Sequence, residues 1–307
     1  MRVAAVDLGT NTTRLLVADV EDGRVAEVHR ETRITRLGED VDARKRLLPL
    51  PIARVRNALS DYRRTLERLG AERTLLVATS AVRDAENGEA FLGEIEWSYG
   101  FATQLVTGDG EAQLTRRGVD PKPETLVLDI GGGSTELIVD DFHVSVDMGS
   151  VRFTERFVHT DPPSRDELDA CRRAAREALA PHAGGHATRA IGVAGTVTTL
   201  AALDLGLERY DRDRVHGHLL TRDGAAAQLE RLAALPLAER REVPALEPER
   251  APVIVAGAVI LVAVLDAFGL DTIEVSEHDI LDGIALAAAE LPESDEGDAP
   301  PGTYTCC

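Results

Sequence analysis

Two heptapeptides in this chain carry the same chemistry. Asp7-Leu8-Gly9-Thr10-Asn11-Thr12-Thr13 and Asp129-Ile130-Gly131-Gly132-Gly133-Ser134-Thr135 each set an Asp at the end of an apolar run and follow it with glycine and hydroxyl residues. Glycine lets backbone N–H groups come close to an oxyanion. The hydroxyls of Thr10, Thr12, Thr13, Ser134 and Thr135 add donors, and an Asp at a strand end suits a magnesium ion, directly or through water. One such turn is an ordinary hairpin. Two matching copies, each with its strand-end Asp, point to phosphate binding through Gly9, Thr10, Asn11 and Thr12 in one copy and Gly131, Gly132, Gly133, Ser134 and Thr135 in the other.

The two copies align without a gap. Asp7 falls on Asp129, Gly9 on Gly131, Thr13 on Thr135, and Leu15-Leu16-Val17 on Leu137-Ile138-Val139. Each consists of an apolar run, a turn, a second apolar run and a third strand, Arg24 to Thr35 or His143 to Gly149. Short β-branched runs joined by turns of hairpin length read as β-meanders. A repeat on this scale indicates two related lobes, because solenoid periods are only about 20–50 residues.

Helical sequence follows each meander. Residues Leu50 to Leu69 place Val55, Leu59, Tyr62, Leu66 and Leu69 at helical spacing, and Gly70 ends the run. A strand is expected over Arg73 to Ala81, a helix over Glu86 to Tyr99 and a short strand over Ala102 to Val106. The second copy continues with a helix over Ser164 to Ala183, a strand from Arg189 to Gly195 that enters another helix, and helices over Arg222 to Leu235 and 251–270. A last strand, Asp271 to Glu277, precedes a helix over Asp279 to Leu291. This alternation predicts an α/β protein with mixed sheets flanked by helices. The expected division is 1–118 plus 279–291 for lobe I and 119–278 for lobe II, with 292–307 a disordered acidic tail.

Bulk properties narrow the function classes. At 307 residues the chain is long enough for two domains, and its net charge of −19 argues against a general nucleic-acid or membrane-surface binder. An anionic substrate in a local pocket remains compatible with that charge, since amides, a metal and one or two Arg suffice to hold it. The apolar window Ala251 to Leu270 is long enough to mimic a membrane span, but Asp266 and two Gly interrupt it, and it reads as a buried helix. No apolar leader opens the sequence. Cys171, Cys306 and Cys307 form neither a zinc spacing nor a disulfide framework. A reducing cytoplasm fits.

The paired motifs resemble the two phosphate loops of the actin, sugar-kinase and chaperone ATPase superfamily. Within it the chain is similar to the exopolyphosphatase / guanosine pentaphosphatase (Ppx/GppA) family along nearly its whole length. Thr35 to Asp42, Ala78 to Phe91, Thr107 to Leu114, Val127 to Leu137, Gly149 to Phe157 and Gly192 to Leu203 follow that family's segments in order. The resemblance implies two actin-like, ribonuclease H-like lobes with the active site in the cleft between them.

It also implies residue roles. Glu111, in Gly-Asp-Gly-Glu-Ala, matches the family's catalytic Glu, which orients and deprotonates the attacking water. Without that context it reads as a helix-start Glu favoured by the helix dipole. Arg83 stands where the family binds substrate; its plain alternative is a surface Arg paired with Asp84 or Glu86. Asp129 and Glu136 are the expected magnesium (or manganese) ligands, with Asp7 as the symmetric candidate. Glu136 has an ordinary alternative as a strand-face charge, because the aligned position holds Arg14. Gly195-Thr196 is a candidate anion seat at a helix start, where strand–helix packing also demands small residues. Glu39 is a weaker candidate. His216 and His218 lack a third ligand at a known spacing and read as structural or cleft-edge residues.

The sequence departs from the family at Asp40, Gln113 and Arg116, and it is short for the family. The implied reaction is magnesium-assisted hydrolysis of the terminal phosphoryl group of inorganic polyphosphate, with short chains preferred. Guanosine pentaphosphate hydrolysis is the close alternative, and a non-catalytic polyphosphate or alarmone sensor the alternative from another class. A homodimer is compatible with the sequence but not established by it.

Overall fold

The strands that bear the two Asp residues are buried on both faces, which sets them at the centre of their sheets. The computed structural model describes residues 1–182 and 187–292. The chain divides into two units, Met1–Gly118 together with the segment from Ile280, and Val119–Asp279. Asp279, expected in lobe I, falls in the second unit.

The first unit runs β1 (Arg2–Leu8), β2 (Thr12–Glu21), β3 (Arg24–Ile34), α1 (Val41–Arg44), α2 (Pro49–Leu69), β4 (Arg73–Ala78), α3 (Ser80–Arg83), α4 (Gly88–Tyr99), β5 (Ala102–Leu105) and α5 (Gly108–Val119). The second runs β6 (Thr125–Ile130), β7 (Thr135–Val139), β8 (Phe142–Val146), α6 (Ser150–Phe157), α7 (Arg165–Leu179), β9 (Arg189–Val193), α8 (Ala194–Asp204), α9 (Arg212–Val215), β10 (Leu219–Thr221), α10 (Arg222–Ala233), α11 (Leu237–Arg240), α12 (Ile254–Phe268) and β11 (Thr272–Val275). A final helix, α13 (Ile280–Ala289), packs in the first unit.

The sheets repeat one plan. The first has the order β3-β2-β1-β4-β5 and the second β10-β11-β9-β6-β7-β8. In each, the meander is antiparallel and the Asp-bearing strand pairs in parallel with the next one, β1 with β4 and β6 with β9. These are two mixed α/β sheets flanked by helices, as the alternation of strand and helix in the sequence predicts. Alternation along β1 sends Val3 and Ala5 to a core shared with Ile280, Leu281 and Ile284 of α13, and Ala4, Val6 and Leu8 to one shared with Val55, Leu59 and Tyr62 of α2. In the second unit α12 is buried on nearly all sides, so the apolar window is a core helix as expected. No helix among the described residues is long and apolar enough to cross a membrane.

Some boundaries differ from expectation. The strand expected through Ala81 stops at Ala78, and Thr79 turns the chain into the short α3. The helix expected from Glu86 starts at Gly88, because the Asn87 side chain bonds both backbone groups of Leu47, at 2.8 and 3.1 Å. The helix begun at Ser164 ends at Leu179. The tail from residue 293, with Cys306 and Cys307, lies outside the described residues.

α13 touches α5 backbone to backbone. A Cβ at Gly283 would overlap the Leu114 carbonyl oxygen and lie 2.7 Å from its carbon. Gly283→Ala is therefore expected to destabilise the protein by about 1–3 kcal/mol, because a backbone neighbour cannot yield as a side chain can. Urea unfolding measures this, and an unchanged midpoint would refute the close contact.

Candidate functional site

Both glycine-rich loops are closed the same way. The Gly9 amide donates to the Thr12 carbonyl and the Gly131 amide to the Ser134 carbonyl, each at 3.0 Å. The next segment then returns behind each loop and ties up its carbonyls. In the first unit Gly38 N donates to Thr10 O (2.8 Å), while Thr35 N and Arg36 N donate to Asn11 O (3.0 and 2.9 Å). In the second unit Ser150 N donates to Gly131 O (2.9 Å), while Val151 N and Arg152 N donate to Gly132 O (2.9 and 3.0 Å).

A trans peptide points its N–H opposite its C=O. The carbonyl bonds therefore turn the amides of Asn11 and Thr12 in one loop, and of Gly132 and Gly133 in the other, away from the returning segment. Successive amides on one side of a turn make an anion-binding concavity.

The hydroxyls are less available than the sequence suggests. Thr13 and Thr135 are fully buried; Thr13 Oγ1 lies 2.9 Å from Thr35 Oγ1, and Thr135 Oγ1 donates to the Met148 carbonyl at 2.5 Å. The Thr135 hydroxyl thus ties the start of β7 to the segment that precedes α6. Thr10 Oγ1 sits 2.9 Å from Ser80 Oγ and so joins the first loop to the start of α3. The Tyr62 hydroxyl donates to the Thr13 carbonyl at 2.7 Å, and burial pushes this phenol well above its ordinary pKa.

The two Asp residues have opposite surroundings. Asp7 is register partner of Arg14 on β2, whose Nε (2.8 Å) and Nη2 (2.7 Å) both reach its Oδ2. Asp7 is thus engaged by a guanidinium, which disfavours the metal role considered for it. Asp129 is register partner of Glu136, so two carboxylates share one face of the β6–β7 pair. They are 6 % and 1 % exposed, and the Ser145 hydroxyl donates to Glu136 Oε1 at 2.8 Å. Burial to this degree is not that of a plain strand-face charge on Glu136. The pair supplies the hard oxygen donors that suit magnesium. Among the described residues no group of three or more His, Cys, Asp or Glu gathers to hold a metal. Water and substrate oxygens would have to complete the shell.

Glu111 stands in the first turn of α5 and is 8 % exposed. Its amide donates to Thr107 O at 2.9 Å, and Arg83 Nη1 lies 3.5 Å from its Oε2 while donating to the Val106 carbonyl at 3.0 Å. The structure therefore joins Arg83 to Glu111. The short α3 links this pair to the first loop, with Ser80 at one end and Arg83 at the other. Glu39 is turned to Arg54, at 2.8 Å.

In the second unit β6 and β9 are parallel with Asp129 beside Val193, so the Ala194–Thr196 turn leaves the same sheet edge as the second loop. Ala194 adopts φ 64°, unusual for a residue with a Cβ. A Cβ at Gly195 would overlap the Arg250 guanidinium, so the glycine lets this flexible side chain lie directly over the turn. Sequence reasoning missed Arg250, since nothing in the sequence links it to Gly195. Thr196 and Ser150 both approach Gly257 of α12, which brings the helix start and the second loop's support together. His218 Nε2 pairs with Asp204 Oδ2 at 2.9 Å, and His216 Nδ1 accepts from the Glu277 amide at 3.2 Å, so both act structurally.

Set against known proteins, residues 16–290 match the family model described as the Ppx/GppA phosphatase family. Exopolyphosphatase 2 of Mycobacterium tuberculosis is 41 % identical over 317 residues, covering 94 % of this chain and 98 % of that protein. The crystal structure of an exopolyphosphatase-like protein superposes with a TM-score of 0.88 at 35 % identity, over 95 % of this chain and 100 % of that one. The Aquifex aeolicus member of the Ppx/GppA family superposes with a TM-score of 0.80 at 30 % identity, over 94 % of this chain and 98 % of that one.

Proposed function

The chain belongs to the Ppx/GppA phosphatase family and is a hydrolase, and on that premise we propose that it cleaves the terminal phosphoryl group from inorganic polyphosphate. The observation that carries this reading is that the glycine-rich loop of each unit has its carbonyls tied back, which turns successive amides outward as an anion seat. The Mycobacterium tuberculosis relative, similar along nearly its whole length, bears the name exopolyphosphatase.

In this reading Glu111 orients a water and takes its proton as the water oxygen bonds the terminal phosphorus. The bridging P–O bond breaks, and a chain one phosphate shorter leaves with that electron pair. In the first unit the amides of Asn11 and Thr12 form a seat for phosphate oxygens and Arg83 keeps the Glu111 carboxylate in place; in the second unit the amides of Gly132 and Gly133 form a seat of the same kind. Magnesium, which Asp129 and Glu136 would hold together with water, supplies neutralisation of the phosphoryl charge. Asp7, already paired with Arg14, stays outside that ligand set.

Phosphate release from purified tripolyphosphate, longer polyphosphate and guanosine pentaphosphate tests the proposal. Release from the inorganic chains at least about tenfold faster than from the nucleotide, measured as kcat/KM, is the expected result. The reverse ranking would transfer the same chemistry to guanosine pentaphosphate. Tight binding of either without turnover in magnesium would make the chain a sensor. A chain-length series at matched terminal-group concentration checks the preference for short chains.

A further inference from the structure

The segment Gly149–Phe157 has no part in the chemistry assigned above, yet it lies along the carbonyl side of the second loop. A Cβ at Gly149 would overlap the Gly132 carbonyl and lie 2.5 Å from Gly133 N, so helix and loop meet backbone to backbone. The first-turn amides of α6 take the Gly131 and Gly132 carbonyls. The third carbonyl is held by a side chain: Arg152 Nε donates to Gly133 O at 2.6 Å. The corresponding work in the first loop is done by the backbone amides of Thr35, Arg36 and Gly38.

We propose that Arg152 is a positioning residue for the second phosphate loop: by drawing the Gly133 carbonyl toward α6, its guanidinium turns the Ser134 amide to the phosphate side and sets fixed positive charge behind the amides. This rests on reading the loop as a phosphate cradle. The Gly133 carbonyl and the Ser134 amide belong to one planar peptide, so holding one aims the other. With Gly132 and Gly133 this makes three successive amides directed away from α6. The arginine is 7 % exposed, and burying a guanidinium is costly unless it is held by hydrogen bonds. One of those bonds is the one from Nε to the Gly133 carbonyl. A lysine lacks the planar fork whose Nε makes this bond.

Binding of inorganic tripolyphosphate tests the assignment, measured by calorimetry in magnesium and in a Glu111→Gln background to suppress turnover. Adding Arg152→Met is expected to raise Kd about tenfold, equivalent to ~1.4 kcal/mol, and Arg152→Lys several-fold, with melting temperatures close to the parent's. With Glu111 present, KM for tripolyphosphate should rise by a similar factor, as loss of phosphate contact requires and a purely structural role would not. An unchanged Kd in either folded variant overturns the proposal. So does loss of folding in both, which would make Arg152 a stability determinant. If the protein releases no phosphate from any inorganic chain while the Kd contrast persists, the hydrolytic reading fails and the clamp stands.

Discussion

Replacing Glu111 by Gln is expected to slow phosphate release from polyphosphate by on the order of 10²–10⁴-fold, the range for losing a positioned general base. The substitution keeps the shape of the side chain but removes its negative charge, and with it the ability to take a proton from water. The surroundings argue that shape will be kept: α5 is anchored by the Glu111 amide on Thr107 O and by the Gly110 amide on Thr107 Oγ1 at 3.2 Å. Neither bond involves the carboxylate. Arg83, 3.5 Å from Oε2, can still approach an amide oxygen. Melting temperature should therefore change little while kcat collapses. That separation of activity from stability distinguishes a base from a helix-start Glu, whose loss would cost a few tenths of a kcal/mol of dipole energy and leave the rate alone. A rate within a few-fold of wild type in the folded variant would remove Glu111 from the chemistry.

What the sequence made legible was what repeats locally. Asp7 and Asp129, with their glycine turns and following strands, could be aligned by eye, and the shared sheet plan followed from that alignment. The meaning of Arg14 against Glu136 could not be read so directly. Their alignment was visible, but only the strand register shows each facing the Asp of its own copy, one as counter-ion and the other as a second carboxylate.

Hydroxyl direction was also hidden, because one step along a strand exchanges faces. Thr135 thus looked like a phosphate donor and proved to be bonded to Met148. Contacts across long separations left no trace in spacing: Arg83 with Glu111, Arg250 over Gly195, Arg152 behind Gly133. Of these, Arg152 had the best available signal, an Arg within a family-like segment that no function had claimed.

The inequivalence of the two Asp residues leads to a result of opposite sign at equivalent positions. Asp129→Asn is expected to reduce phosphate release by on the order of 10²–10³-fold, the effect of losing several kcal/mol of metal-assisted charge stabilisation. It should also abolish the gain in melting temperature that magnesium confers on the wild type, a gain worth about 2.7 kcal/mol at a hundredfold excess over Kd. In the presence of a chelator, however, the same variant should be as stable as wild type or more so. Like charges directly opposed on neighbouring strands are destabilising, and Asp129 and Glu136 are such a pair, both buried.

Asp7→Asn removes the carboxylate that Arg14 holds through two nitrogens. A hydrogen bond to a charged group contributes about 1.5–3 kcal/mol, so this variant should be destabilised with or without magnesium and should keep the magnesium-dependent rise. Melting curves of both variants in chelator and in excess magnesium read all four values. If Asp7→Asn lost the magnesium response and Asp129→Asn retained it, the metal would belong to the first unit. The symmetry of the sequence would then have been the better guide than the register that breaks it.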